Sequence, residues 1–179
     1  METARLIVRE DGADRLTLGR LADRAGVSKP VVYDHFATRS ILLIDLYRWL
    51  DTERIDAFRA GMAEGERTPT ETVALLAEAF IHCATDTSSE VPAIGAALAG
   101  SEEKATVLQE LFDHCVLMFV SVLRPHSAVA PDELERRCMG LVGGGEALAA
   151  AAVRGQASEA QAVAAFTSLI QGALRTPAT

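Results

Sequence analysis

The sequence predicts an all-α fold: a short three-helix, helix-turn-helix unit followed by a larger helical domain. Three observations predict it. Apolar residues recur at helical spacing along nearly the whole chain, and nowhere do β-branched residues alternate with polar ones over a strand length. Alanine is abundant while aromatics make up only 5% of 179 residues, which favours packed helices over a β-sandwich.

Leu18, Leu21, Ala22 and Ala25 share one helical face, Gly26 interrupts it, and Ser28 with Pro30 opens the next helix. Val27 is expected to fill the angle between them, with Val32 and Phe36 four apart behind it. An amphipathic run follows over 38–60, with Leu42, Leu46, Trp49 and Leu50 on one side, and 61–68 reads as a polar loop. Thr68-Pro69-Thr70-Glu71 is a capping box with proline at the first helical position, opening a helix to about Thr85. Residues 86–92 read as a break and 93–99 as a short apolar helix. Ser101-Glu102-Glu103 caps a helix to Leu123, Pro131-Asp132-Glu133 opens one to about Arg154, and Ser158-Glu159-Ala160-Gln161 is a second capping box.

Composition bounds the function classes. The net charge of −8 argues at first against nucleic acid. It is unevenly placed: residues 1–50 carry eight Lys/Arg and seven Asp/Glu, whereas the remainder carries nine against 18. The longest uncharged run, 160–174, is 15 residues, short of a membrane span, and the first residues offer no apolar signal stretch. Cys83, Cys115 and Cys138 are an odd set at wide spacing, which predicts no disulfide framework and a reducing, cytoplasmic setting. No Ser/His/Asp or phosphate-loop arrangement is present, and the Glu-x-x-His pairs of a di-metal helical enzyme are missing, so no catalytic activity and no cofactor are expected.

Residues 17–36, Thr-Leu-Gly-Arg-Leu-Ala-Asp-Arg-Ala-Gly-Val-Ser-Lys-Pro-Val-Val-Tyr-Asp-His-Phe, carry a specific pattern. The threonine before the helix, Leu-Ala-x-x-Ala-Gly-Val-Ser through the turn, Tyr-x-His-Phe and the later Arg39 resemble the DNA-binding signature of the tetracycline-repressor (TetR) family. The resemblance covers about 40 residues; the rest of the chain is similar only in length and helical layout. It implies a homodimeric repressor with residues 1–45 as the DNA-binding domain and 46–179 as the effector-binding and dimerisation domain, partnered by a double-stranded operator and a small-molecule effector. Carried across, Thr17 caps its helix and touches phosphate. Lys29, Tyr33, His35 and Arg39 hold phosphates, and Ser28, Pro30 and Val31 lie near base edges, roles that suit their chemistry. The family's first helix normally begins well before the loop matched here by 11–13, with a basic arm ahead of it, whereas this sequence offers only residues 1–10; the expectation is either a short first helix or a true start upstream of this Met. Asp23 and Asp34 further weaken the positive field. A helical dimer without DNA binding is the alternative.

In the C-terminal part, Leu134, Cys138, Leu141, Gly145, Leu148 and Ala152 recur at 4-3-4-3-4 spacing, and Val163, Phe166, Ile170 and Ala173 at 3-4-3. These seams suit near-parallel helix packing. The resemblance assigns Leu134, Cys138, Leu141, Gly145, Leu148, Val163, Phe166 and Ile170 to the dimer interface; burial within one protomer is the alternative. Gly143-Gly144-Gly145 costs a helix on the order of 2–3 kcal/mol, so these glycines are expected to face something close. Apolar candidates for an effector pocket are Leu76, Phe80, Cys83, Ile94, Leu98, Phe112, Cys115 and Phe119, any of which also suits a core. Glu-x-Phe-x-His-Cys occurs twice, ending at His82-Cys83 and His114-Cys115. A metal or thiol-responsive site of these four is the lesser reading, because adjacent His and Cys on one straight helix cannot easily face one ion. The leading expectation is no metal.

Overall fold

The computed structural model describes residues 1–63, 65, 67–86, 90–98 and 103–175. Among them are nine α-helices and no strand: α1 (Glu2–Asp11), α2 (Leu18–Ala25), α3 (Lys29–His35), α4 (Arg39–Ala63), α5 (Pro69–Thr85), α6 (Glu90–Ala97), α7 (Glu103–Leu123), α8 (Pro131–Val153) and α9 (Glu159–Ala173). Short 3₁₀ turns lie at Ala13–Arg15 and Arg124–His126. Both capping boxes form: Thr68 Oγ1 accepts from the Glu71 amide while Glu71 accepts from the Thr68 amide, and Ser158 and Gln161 do the same for α9. Ser101 and Glu102, expected to cap α7, and Ala99 of the expected 93–99 helix lie outside the described residues.

The helices form two compact units, Met1–Arg54 with Thr87–Leu111, and Ile55–Asp86 with Phe112–Thr179. The first is built on Ile7, Leu16, Leu21, Val32, Leu42, Leu46, Ile94 and Leu98, all nearly or fully buried. Its α6 begins earlier than the break expected at 86–92. Pro92 sits in the first turn, where a helix has no intrahelical use for an amide proton. Glu90 opens that turn and is buried, with Arg5 Nε and Arg9 Nε donating to its Oε1 at 3.1 and 2.8 Å. Burial opposes its ionisation, but hydrogen bonds from its backbone and from both arginines outweigh burial and hold the carboxyl below its ordinary range.

In the second unit α5, α8 and α9 pack together around Leu76, Ile81, Phe119, Leu134, Cys138, Phe166 and Ile170. Phe80, Phe119 and Phe166 form a ring cluster with centroids 5.2–6.0 Å apart. Gly145 explains the glycine run in part: a methyl there would stand 2.5 Å from Phe80 Cε1 and 2.8 Å from Phe166 Cζ. Gly144 has Leu169 beside it, whereas Gly143 faces open space. Burial pushes the Cys138 thiol up to about 11.

One expectation needs correcting. Lys104–His126 is long and apolar enough, by length and composition, to cross a membrane, with a mean hydropathy of 1.5. Counting only uncharged runs overlooked it because Glu110 and Asp113 interrupt the stretch. Within the units some of its apolar residues are core, Val107 in the first and Val116, Phe119 and Leu123 in the second, whereas Leu108 and Leu117 are exposed.

Candidate nucleic-acid interface

Helix α2 starts where Thr17, in extended conformation, accepts the Arg20 amide on Oγ1 at 3.2 Å. It stops at Gly26, whose left-handed φ of 68° few other residues tolerate. The amides of Gly26 and Val27 both donate to the Ala22 carbonyl, turning the chain tightly into α3. Val27 does not fill the interhelical angle as expected; it is 42% exposed. Leu18, Leu21, Ala22 and Val32 close that angle instead.

Helix α3 is fixed by very little. Val32 is its one buried residue, and half-buried Phe36 packs on the same core just beyond it. Everything else faces outward: Ser28, Lys29, Pro30, Val31, Tyr33 and His35 are exposed, Tyr33 by 54% and Val31 by 44%. Ser28 occupies the N-cap position, yet its hydroxyl makes no capping bond and stays available. The Lys29 stem lies 3.9 Å from where a side chain at Gly19 would begin. The short helix therefore leaves hydroxyl, cation, methyl and phenol groups exposed to solvent, group types able to contact phosphates and base edges.

Arg39 is turned inward. Its Nε donates to the Leu16 carbonyl and its Nη2 to the Ala13 carbonyl, both at 2.8 Å, with Asp14 at 3.7 Å. It ties the turn before α2 to the start of α4, so it positions the unit. Two cations that a charge count assigns to the surface field are also engaged: Arg20 with Asp11 at 2.6 Å, and Arg24 with Glu10 and Asp11. These pairs bind α1 to α2 and leave the local field weak. The sequence gives no spacing signal for them, since the partners sit about ten residues apart on different helices.

The eight residues expected to line an effector pocket are divided between the two compact units. Ile94 and Leu98 belong to the core of the first unit, whereas Leu76, Phe80, Phe112, Cys115 and Phe119 belong to that of the second. Cys83 is exposed. The second unit instead carries a cleft of about 360 Å³ whose walls include Arg59, Arg67, Thr72 and His126. These four come from α4, a loop, α5 and the turn after α7, so no local motif announces them. Of the expected dimer residues, Leu134, Cys138, Leu141, Gly145, Phe166 and Ile170 are buried within the second unit itself, and Leu148 and Val163 are half-buried. Met139, Val153 and Leu169 on α8 and α9 are the large apolar side chains left outside, each about half exposed.

The repeated Glu-x-Phe-x-His-Cys does not build a metal site: among the described residues no three His, Cys, Asp or Glu side chains cluster to hold an ion. His82 Nδ1 meets Glu159 Oε1 of α9 at 3.1 Å, so its partner is on another helix and not Glu78 one turn away.

Residues 1–46 match the family model described as bacterial regulatory proteins, tetR family. No curated protein sequence matches the chain. Among solved structures, a TetR-family transcriptional regulator from Pectobacterium atrosepticum is 23% identical with a TM-score of 0.70, over 99% of this chain and 93% of that one. The transcriptional regulator FadR from Bacillus subtilis, solved in complex with stearoyl-CoA, is 17% identical with a TM-score of 0.59, over 97% and 95%. The superantigen PfiT is 21% identical with a TM-score of 0.62, over 93% and 92%. At these identities the likeness concerns the fold.

Proposed function

From residues 1–46 being a TetR-family N-terminal domain, in a chain with the fold of TetR-family regulators, we infer that this protein is a ligand-responsive DNA-binding transcriptional regulator, a repressor released from its operator by a small-molecule inducer. The observation that carries the reading is α3: a helix anchored by Val32 and Phe36 that leaves Ser28, Lys29, Pro30, Val31, Tyr33 and His35 outward. A fold-stabilising helix buries a full stripe; this one holds back most of its surface. Thr17, Lys29, Tyr33 and His35 would bind phosphates, and Ser28, Pro30 and Val31 would approach the bases of a major groove. Arg39 would act by holding the helices in register.

Residues 1–45 are proposed to read DNA and 46–179 to bind the effector and form a homodimer. The face for a second copy is the outer side of α8 and α9, with Met139, Val153, Leu169 and the open surface at Gly143. That a fold neighbour was solved with stearoyl-CoA supports an effector role for the helical part. Helix α4 runs unbroken from Arg39 to Ala63 and supplies residues to both compact units, which suits it to relay a population shift between operator-competent and released states. The work is binding, not catalysis, and its place is the cytoplasm, with the DNA.

The test is an electrophoretic mobility shift with duplex DNA flanking the protein's own gene. The full chain should retard it at low salt, and Lys29→Ala with Tyr33→Ala should abolish the shift while leaving the far-ultraviolet spectrum unchanged. Equal retardation by the double variant would count against α3 as the reader.

A further inference from the structure

The cleft in the second unit has a chemistry of its own. Arg59 on α4 is exposed and has no ion-pair or hydrogen-bond partner among the described residues. Arg67 is held at the wall by its own bonds, donating to the carbonyls of Met62 at 2.7 Å and Gly61 at 3.0 Å. His126 closes a third side, and Met62 and Val122 add apolar surface. None of the described lining residues is acidic. Two arginines and a histidine thus line one cleft in the part of the chain that is acidic overall.

Thr72 is the second, independent feature. It is 3% exposed and lines the cleft, and its hydroxyl has no hydrogen-bond partner among the described residues. A buried, unpaired hydroxyl carries a desolvation cost of about 1–3 kcal/mol, and buried polar groups normally have partners. A ligand oxygen reaching between the two arginines would supply one.

We propose that the cleft bounded by Arg59, Arg67, Thr72 and His126 binds a small organic anion, a carboxylate or phosphate headgroup on a short apolar stem. The guanidinium groups and imidazole take the headgroup, Thr72 Oγ1 donates the orienting hydrogen bond, and Met62 with Val122 take the stem. About 360 Å³ lies at the lower end of the range for small-molecule sites, which limits the stem to a few carbons. This deepens the proposed effector role of residues 46–179 by naming the ligand class.

The test is isothermal titration calorimetry on the full chain, without DNA, using hexanoate, hexyl phosphate and neutral hexanol. Failure here therefore leaves the DNA-binding reading untouched. One of the two anions should bind roughly tenfold or more tightly than hexanol, and which one does so identifies the headgroup. Arg59→Gln should weaken that anion by roughly tenfold, the worth of one charge-assisted hydrogen bond. Thr72→Val should weaken it too without lowering the melting temperature, because no internal partner is lost, and Thr72→Ser should restore binding. Hexanol binding as well as the anions, no anion binding at millimolar concentration, or full affinity in both Arg59→Gln and Thr72→Val would overturn the proposal.

Discussion

At the residue scale, individual side chains do different work from what their type suggests. Arg39 has the charge and the position of a phosphate ligand, yet two backbone carbonyls hold its guanidinium. Arg39→Ala should therefore lower the melting temperature of the full chain as well as its DNA affinity, whereas Lys29→Ala should cost affinity alone and reduce the salt slope by about one. Thermal melts beside anisotropy titrations separate the two. Gly145 is the converse case, a residue defined by what it lacks. Gly145→Ala would press a methyl into Phe80 and Phe166, and we predict a loss of roughly 1–3 kcal/mol in urea unfolding despite alanine's better helix propensity. The close packing expected of the glycine run holds at Gly145 and not at Gly143, which faces open space. That the partners of Gly145 would be Phe80 and Phe166 was not legible, because spacing reports a seam without saying which helix fills it.

At the element scale, start signals were the most legible features. Thr17, Thr68 and Ser158 all cap as their local sequence predicts, because a cap is a bond between residues three apart. Ser28 also sits where expected but leaves its hydroxyl unused, and Glu90 opens α6 three residues before the expected start at 93 because its support comes from Arg5 and Arg9, far away in sequence. That support makes a pH prediction. The folded-state carboxyl of Glu90 lies below its unfolded value, so the stability it contributes is present above the usual carboxylate range and is lost as pH falls through the folded value. Melting temperatures of the wild type and Glu90→Gln should differ at pH 7 and converge in acid, once pH has fallen below the lowered folded value. A gap that persists in acid would show that the arginine contacts are not its source.

At the scale of the whole molecule, all-helical architecture was legible from periodicity and composition, and the TetR-like N-terminal unit from one 20-residue pattern. The cleft of the second unit was not, since its residues come together only in the fold. Nor was the role of the heptad-like residues of α8 and α9, which are largely core within the second unit. The outward remainder makes the prediction. A symmetric contact repeats each substitution twice, so Met139→Glu with Leu169→Glu should shift the chain from dimer to monomer in analytical ultracentrifugation. A dimer unchanged by both charges would place the interface elsewhere. The acidic total of −8 is compatible with DNA binding, because residues 1–50 are close to neutral by formal charge, and the attraction is expected to fade as salt rises. DNA binding itself is read by fluorescence anisotropy of a labelled duplex from the protein's own promoter, titrated with the full chain at low and moderate salt. Saturable binding that weakens with salt and is lost with Lys29→Ala and Tyr33→Ala is the expected result. Binding indifferent to those substitutions, or no binding at low salt, would contradict it.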